Sequence, residues 1–332
     1  MNKTRHHLLA TVVLVLAATT GLAQTHREEV RARVDSLLSA KYNKVTYDTN
    51  YIRRPSTKLT LKFRTNVSGM RLKTEGEVYD IPMKSNLRTD HKATVSVGAT
   101  YQGISMGLAV NPAKLSGRSQ DYEINVNMYN NHYAVDASYQ MSKTLSGESH
   151  WGDDFITTPR GRIHTKVLNL SGYYVFNNKR FSYPAAFTQS YIQKRSAGSW
   201  QVGFSYQGGS YKTSDDAPDD VVKYRIYSGH FGLGGGYGYN WVPSRNWLLH
   251  LSFIPTLIIA NNNNMTVNGE REDMNTRFPD VILNGHVAIV RNFSSRYFSG
   301  ITAYVNETMF GDNKLDFYQR KWRVRLFFGM RM

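Results

Sequence analysis

The 332-residue sequence contains no cysteine. That absence excludes disulfides, cysteine-ligated metals, a thiol nucleophile and a lipid anchor attached to a cysteine behind a leader. Long apolar runs are missing too. Beyond the first 23 residues no window approaches the ~20 apolar residues of a membrane helix, and the best candidate, Trp247 to Ala260, is interrupted by His250 and Pro255. Mean hydropathy is -0.46, which excludes a helical membrane protein. It does not count against a β-barrel, whose apolar residues hide in alternation. Acidic residues are few as well, 25 Asp and Glu against 41 Lys and Arg, for a formal charge of +16. Such an excess favours anionic neighbours.

Residues 1–23 have the layout of a signal peptide: Lys3 and Arg5, an apolar run Leu8 to Ala18, then Gly21-Leu22-Ala23. Removing Lys3 and Arg5 with it lowers the charge from +16 to +14. Behind a leader the relevant anions are lipopolysaccharide phosphates or an acidic solute, and nucleic acid is not expected as a partner. Aromatics are plentiful at 22 Tyr, 15 Phe and 5 Trp, suited to the interfacial girdles of a barrel.

The last eleven residues alternate strictly. Trp322, Val324, Leu326, Phe328, Met330 and Met332 share one parity, and Arg323, Arg325, Gly329 and Arg331 share the other. This is a strand with one oily and one charged face, resembling the C-terminal strand by which outer-membrane barrels engage the barrel assembly machinery. Residues 25–41 instead carry a helical pattern (Val30, Val34, Leu37, Leu38), read as a short periplasmic helix in an N-terminal segment 24–56. From residue 57 the period is two. It predicts twelve strands, at 58–68, 92–101, 103–111, 121–130, 132–141, 164–176, 198–208, 228–239, 247–258, 281–292, 297–308 and 320–332. The expected fold is therefore all-β, a monomeric transmembrane antiparallel up-and-down β-barrel of about 12 strands in the outer membrane of a Gram-negative bacterium.

Connection lengths agree with alternating short periplasmic turns and long outer loops. The expected outer loops are 69–91, 112–120, 142–163, 209–227, 259–280 and 309–319. One connection breaks the rule: 177–197 falls on the periplasmic side yet runs to an aromatic-rich length seldom seen in a bare loop. It is expected either as a periplasmic ledge or as a plug that folds back on the glycines Gly229, Gly232, Gly234, Gly235, Gly236 and Gly238.

The strings Tyr47-Asp48-Thr49-Asn50-Tyr51-Ile52-Arg53-Arg54-Pro55, Ser182-Tyr183-Pro184-Ala185-Ala186-Phe187 and Tyr191-Ile192-Gln193-Lys194 resemble a Bacteroidetes domain-of-unknown-function family (domain of unknown function 4421). The resemblance covers nearly all of the chain behind the leader. It implies a secreted outer-membrane protein and brings no assigned reaction.

The candidate site is electrostatic. Strand 58–68 points Lys58, Lys62 and Arg64 to the lumen, and the last strand adds Lys321, Arg323 and Arg325. First and last strands are neighbours in a closed barrel, so these cations should form a seam, costly unless carboxylates or anions face it. Glu123 and Asp136 fall on the inward parity and are the expected acidic partners. The seam is either a structural ion network or a surface for a small anionic solute. His230, His250 and His286 also point inward, but at heights too different to share a metal. No metal or cofactor is expected. A lipid hydrolase needs a serine, a histidine and an asparagine on the barrel wall. The His-x-Ser-Asn-Gly type of motif does not occur, and Ser146-Gly147-Glu148-Ser149-His150-Trp151 lacks its order. The glycine cluster is followed by no Lys-Ser or Lys-Thr and is not a phosphate loop. The expected function is thus a non-enzymatic narrow passage or binding barrel. The alternatives are a structural barrel engaging outer-membrane lipids and lipopolysaccharide, and an outer-membrane lipid hydrolase.

Overall fold

The computed structural model describes Ala32, Arg33, Ser36 and residues 44–78, 80–101, 104–110, 121–218, 223–267, 269–273, 279–311 and 314–332. The expected leader, most of the expected helix at 25–41 and the whole of the expected loop at 112–120 lie outside them. Ala32, Arg33 and Ser36 are helical. They fall in one contact unit, Met1–Thr46 with Tyr101–Ile104, while Tyr47–Thr100 and Ser105–Met332 form a second, which contains the barrel.

In chain order the strands are β1 (Ile52–Arg53), β2 (Leu59–Val78), β3 (Ile81–Arg88), β4 (Lys92–Tyr101), β5 (Ile104–Val110), β6 (Tyr122–Tyr129), β7 (Tyr133–Trp151) and β8 (Asp154–Val175). After a short helix, α1 (Tyr183–Phe187), come β9 (Ile192–Gln193), β10 (Ala197–Thr213), β11 (Tyr224–Ser244), β12 (Trp247–Asn261), β13 (Asn264–Val267) and β14 (Glu270–Asp273). The chain finishes with β15 (Val281–Asn292), β16 (Tyr297–Gly311) and β17 (Leu315–Arg331). Ten of these close a ring: β2-β3-β7-β8-β10-β11-β12-β15-β16-β17 and back to β2. First and last long strands pair in register from Thr60↔Arg331 to Gly76↔Leu315, so the seam exists as a continuous ladder.

The ring differs from a simple up-and-down barrel at one place. β3 pairs with 71–78 of β2 and with 146–151 of β7. Nearer the other end β4 pairs with β2 and with β5, and β6 with 134–141 of β7. The expected twelve strands thus all lie in observed strands, but β5 and β6 stop short, and ten strands complete the circumference above them. The step is clamped by Asp121, which is buried. Its carboxylate accepts from Ser142 Oγ (2.6 Å), Thr144 Oγ1 (2.7 Å) and the Lys143 backbone N–H (2.9 Å) and faces Lys92 Nζ at 3.8 Å. At the same level β7 shifts register against β8 between Ser142 and Gly147, the local irregularity by which a strand bends and changes partner.

Most of the expected outer loops prove to be strand. The stretch 69–91 is the β2–β3 hairpin, 142–163 is the β7–β8 hairpin, and much of 209–227, 259–280 and 309–319 extends the ring or forms the β13–β14 hairpin. The 22 residues of β8 reach about 55 Å along a barrel axis at ~3.3 Å per residue and ~40° tilt, about twice the ~25 Å apolar band of a membrane barrel.

Polarity is inside out relative to a soluble barrel. Leu251, Phe253, Ile259, Ile301, Leu326, Phe328, Val126 and Met128 are exposed on the outer wall, while Asn66, Ser138, Gln140, Asn169, Gln201, Gln207, Asn284 and Asn306 are buried inside. Trp200, Trp241, Trp247, Tyr133 and Tyr297 stand exposed near the short-turn end, as an interfacial girdle does.

Asp121→Ala should cost about 3–5 kcal/mol, because it takes the nearest carboxylate from buried Lys92 and the shared acceptor from Ser142, Thr144 and the Lys143 N–H. Ser142→Ala, which removes one neutral donor, should cost about 1 kcal/mol. Urea unfolding of the refolded barrel in lipid vesicles measures both, and equal costs would sink the clamp.

Candidate functional site: a sealed lumen with a cationic seam

The short-turn end is filled by the segment 177–197. Its helix begins at Ser182, whose Oγ accepts from the Ala185 N–H (3.3 Å), with Pro184 in the first turn, where its missing N–H costs nothing. Tyr183, Pro184, Ala185 and Ala186 are buried. Phe181 and Tyr183 pack with Ala134, Tyr173, Val175 and Ile254, and Ala185 and Ala186 with Leu248, Ala288, Phe298 and Phe327. Opposite walls of the ring therefore meet on one helix. Of the glycines in β11, Gly238 is the one in contact with this segment: a Cβ there would meet Phe181, Gln201 and Ser252.

The same segment holds the chain ahead of the barrel. β1 pairs with β9, Ile52 opposite Gln193. Asp48 forms an ion pair with Arg180 at 3.3 Å, and Arg54 donates to Tyr191 Oη at 2.7 Å while lying over its ring. Burial pushes the Tyr191 phenol above its ordinary value and the Arg54 charge opposes this. The three strings that resemble the family are thus brought together in one module.

Beneath Tyr183 lies a relay that the sequence reading missed. Asn240 donates through Nδ2 to the Ser182 backbone carbonyl and to Gln193 Oε1 (3.0 Å each), which turns its Oδ1 to His250 Nδ1 at 2.7 Å; His250 Nε2 faces Ser252 Oγ at 3.1 Å. Tyr183 Oη sits 2.9 Å from Ser252 Oγ and donates to Gln201 Oε1. The order asparagine, histidine, serine follows acyl-transfer triads. Here Asn240 and Ser252 are fully buried, and the relay reaches the plug at both ends, Asn240 on Ser182 and Gln193 and Ser252 beside Tyr183, so it latches α1 in place. The sequence signal was His250-x-Ser252 with Asn240 opposite His250 on the neighbouring strand.

Above the plug the lumen is a polar layer crossed by direct bonds. His286 on β15 reaches Asp136 on β7 at 3.2 Å, half-way round the ring, and Asp136 also accepts from Asn127 and Tyr129. Asn284 donates to Ser205 (2.9 Å) and accepts from Asn306 (2.8 Å). Gln207 donates to Gln319 on the opposite strand at 2.7 Å. Higher still, Met70, Leu87, Leu145, Ile163, Val167 and Tyr211 form an apolar layer, with Phe310 stacked on Phe317 and His230 against Phe310. The polar layer is sealed between two apolar ones.

The seam lies in this layer, with one exception. Lys58 is exposed and precedes β2, which starts at Leu59, so it is not a lumenal residue. Lys62 donates to the Thr188 carbonyl on the plug. Lys321 pairs with Glu123 at 3.6 Å and donates to Ser138 at 2.9 Å, while Glu123 also accepts from Ser68 (2.7 Å) and Asn125 (3.0 Å). Arg325 donates to Asn66 at 2.6 Å, Arg323 lies against the Tyr304 ring, and Arg64 follows Lys62 on the inward parity of β2. Glu123 therefore meets the seam by direct contact, whereas Asp136 contacts His286 and acts on Arg323 and Arg325 through space. Arg323 and Arg325 border a cavity of about 20 Å³ lined also by Phe187, His286, Thr302 and Tyr304, room for about one water-sized group. His250 and His286 both pack on Tyr183 and Phe187, whereas His230 lies higher, against Phe310. Among the described residues no three His, Asp or Glu side chains come together as a metal site.

A closed antiparallel ring with an apolar outer wall and a filled polar interior defines a transmembrane β-barrel of the outer-membrane type. The chain belongs to the family described as Domain of unknown function (DUF4421), whose model matches residues 46–331. No curated protein matches it. Among solved structures it is similar to the outer-membrane protease OmpT from Escherichia coli, with 7% identity over 88% of this chain and 100% of that one and a TM-score of 0.46. It is similar also to the translocator domain of the autotransporter NalP from Neisseria meningitidis (12%, 92% and 99%, TM-score 0.28) and to the P. putida toluene transporter TodX (6%, 84% and 91%, TM-score 0.28). These likenesses are too distant to bear on activity.

Gly238→Leu should force Phe181 and the Gln201 amide aside at a cost of about 1–3 kcal/mol. Cleavage within 177–197 by a protease reaching the short-turn end should accelerate in the folded barrel, whereas Gly285→Ala, which meets open space, should leave it unchanged. Equal cleavage of all three proteins would show that the segment does not depend on that contact.

Proposed function

We propose that this protein is a non-enzymatic outer-membrane barrel, closed at rest, whose lumen binds one small anion beside Arg323 and Arg325. The observation that carries the reading is the charge inventory of the sealed layer. Among its described residues Lys62, Arg64, Lys92, Lys321, Arg323 and Arg325 outnumber Asp121, Glu123 and Asp136. Cations so placed between apolar layers are costly unless an anion completes them. The exposed apolar wall, its aromatic girdle and the leader at 1–23 support placement in an outer membrane. The cavity limits the ligand to about the size of chloride, and larger solutes could pass only with both apolar layers displaced.

Chloride titrated into refolded protein in gluconate buffer should raise the melting temperature, by the equivalent of about 2.7 kcal/mol at ~100 times Kd. Citrate, too large for the cavity, should not. Arg325→Gln should abolish the chloride effect, and the folded wild type should give no current steps in planar bilayers. Equal stabilisation of wild type and variant would end the anion reading. Steps with anion preference that weaken in Arg323→Glu would replace the closed barrel with a pore.

A second reading rests on the Asn240–His250–Ser252 relay, whose order matches a hydrolase. Its serine lies under Tyr183, out of reach of substrate. A fluorophosphonate serine probe should leave the folded wild type unlabelled. Labelling at Ser252 together with fatty-acid release from phospholipid would make the hydrolase the better account.

A further inference from the structure

The outer wall carries a groove of about 660 Å³ near the long-hairpin end, within the range of ligand sites. Its floor is made by Ser210 on β10, by the Tyr206 ring, which lies over Gly208 of the same strand, and by Gly229 on β11, directly opposite Gly208. Tyr139 and Leu168, paired across β7 and β8, form one side; Tyr227 and Phe231 form the other. A Cβ at Gly229 would meet only the Asn262 carbonyl and the Tyr206 hydroxyl, at 3.6 and 3.7 Å, so the space above it is open.

Cations stand along the upper rim. Lys166 lines the groove itself, opposite Ser210. One pleat repeat higher, His164, Lys212 and Arg225 are cross-strand neighbours on β8, β10 and β11, and the row continues through Thr266 to Arg271. All lie on the outward parity. Asp215 pairs with Lys212 at 2.6 Å, and Lys166 and Arg225 are the positive groups next to the trough. A row of cations directly over an apolar trough matches one kind of molecule, an acyl chain under a phosphorylated headgroup.

We propose that this groove is a docking site for the phosphorylated, multiply acylated glucosamine lipid that anchors lipopolysaccharide. One acyl chain lies over Gly229, Ser210 and the Tyr206 ring between Leu168 and Phe231, and a headgroup phosphate meets Lys166 and Arg225. Each methylene removed from water there contributes by area. The rim phosphate adds charge-assisted hydrogen bonds and sets the depth of the chain. The inference rests on the outer-membrane reading and puts this end of the barrel in the outer leaflet.

The test uses the refolded full barrel in phosphatidylcholine nanodiscs doped with bis-phosphorylated lipid A or with its dephosphorylated form, with inorganic phosphate as a third probe. Native mass spectrometry reads the lipid retained after release from the disc. One bis-phosphorylated lipid A should be retained per barrel. Retention should fall at least tenfold in Lys166→Glu/Arg225→Glu and for the dephosphorylated lipid. It should fall similarly in Gly229→Leu, which fills the groove without touching the charge. Retention equal in wild type and both variants would overturn the site, as would binding of inorganic phosphate that competes with no lipid. Heat-modifiable gel migration separates the two levels: a folded barrel that retains no lipid A refutes the groove alone, and a chain that never becomes heat-modifiable refutes the membrane barrel beneath it.

Discussion

An inward polar side chain of this barrel is satisfied by what the lumen itself supplies, another inward side chain, the plug or a backbone group beside it. The ring is narrow enough that groups on opposite strands bond directly, as Gln207 does with Gln319 and His286 with Asp136, and both ends of the polar layer are closed by apolar residues. A buried polar group without a partner costs about 1–3 kcal/mol, and a charge costs more. Inward positions are therefore coupled across the lumen. Asn284 draws together β10, β15 and β16, and Lys321 ties the seam to β6 and β7 through Glu123 and Ser138. The outer wall bears no such constraint, since lipid accepts any apolar shape.

The step from twelve strands to ten has the same origin. Where β5 and β6 stop, β7 must exchange β6 for β3, and backbone groups at the exchange lose regular partners. Asp121 supplies them, taking the Lys143 N–H and the two hydroxyls beside it. A carboxylate in that position needs a cation, and Lys92 at the start of β4 provides one. One acid thus accounts for the end of β6, the irregularity in β7 and the start of β4.

Alternation was legible in the sequence wherever one face meets lipid. Leu61 and Phe63 against Lys62 and Arg64, or Val324 and Leu326 against Arg323 and Arg325, can be assigned to faces from parity alone. It failed where both faces are wet. Thr144-Leu145-Ser146-Gly147-Glu148-Ser149 and Thr74-Glu75-Gly76-Glu77 read as loop because they have no oily side, yet they are strand because the hairpins protrude beyond any apolar band. Lys58 was misplaced by a single residue at the start of β2, enough to put a lysine in solvent rather than in the lumen. Cross-lumen partners were out of reach for another reason. Asp136 and His286 are 150 residues apart, and which inward rows share a level depends on the stagger of the closed sheet, which parity does not contain. The Asn240–His250–Ser252 relay needed the same information, the register of β11 on β12.

The plug and the seam are one structure. Lys62 projects from the seam and donates a hydrogen bond to the Thr188 carbonyl just past α1, and Arg331, on the inward parity of β17, lies over the Phe298 ring and donates to Asn292 Oδ1. Withdrawing α1 would strip Lys62 of its acceptor and leave the ammonium group to Arg64 and Arg325. It would also release Asn240, whose two donors end on Ser182 and Gln193, and so undo the orientation of His250. Opening from the short-turn end therefore carries an electrostatic cost that only water or an incoming anion could relieve, and the apolar layer of Met70, Leu145 and Ile163 would still stand above. A passage in this barrel would need two seals to yield together. A bound lumenal anion needs neither to move, which is why the closed form accounts for the seam with fewer assumptions.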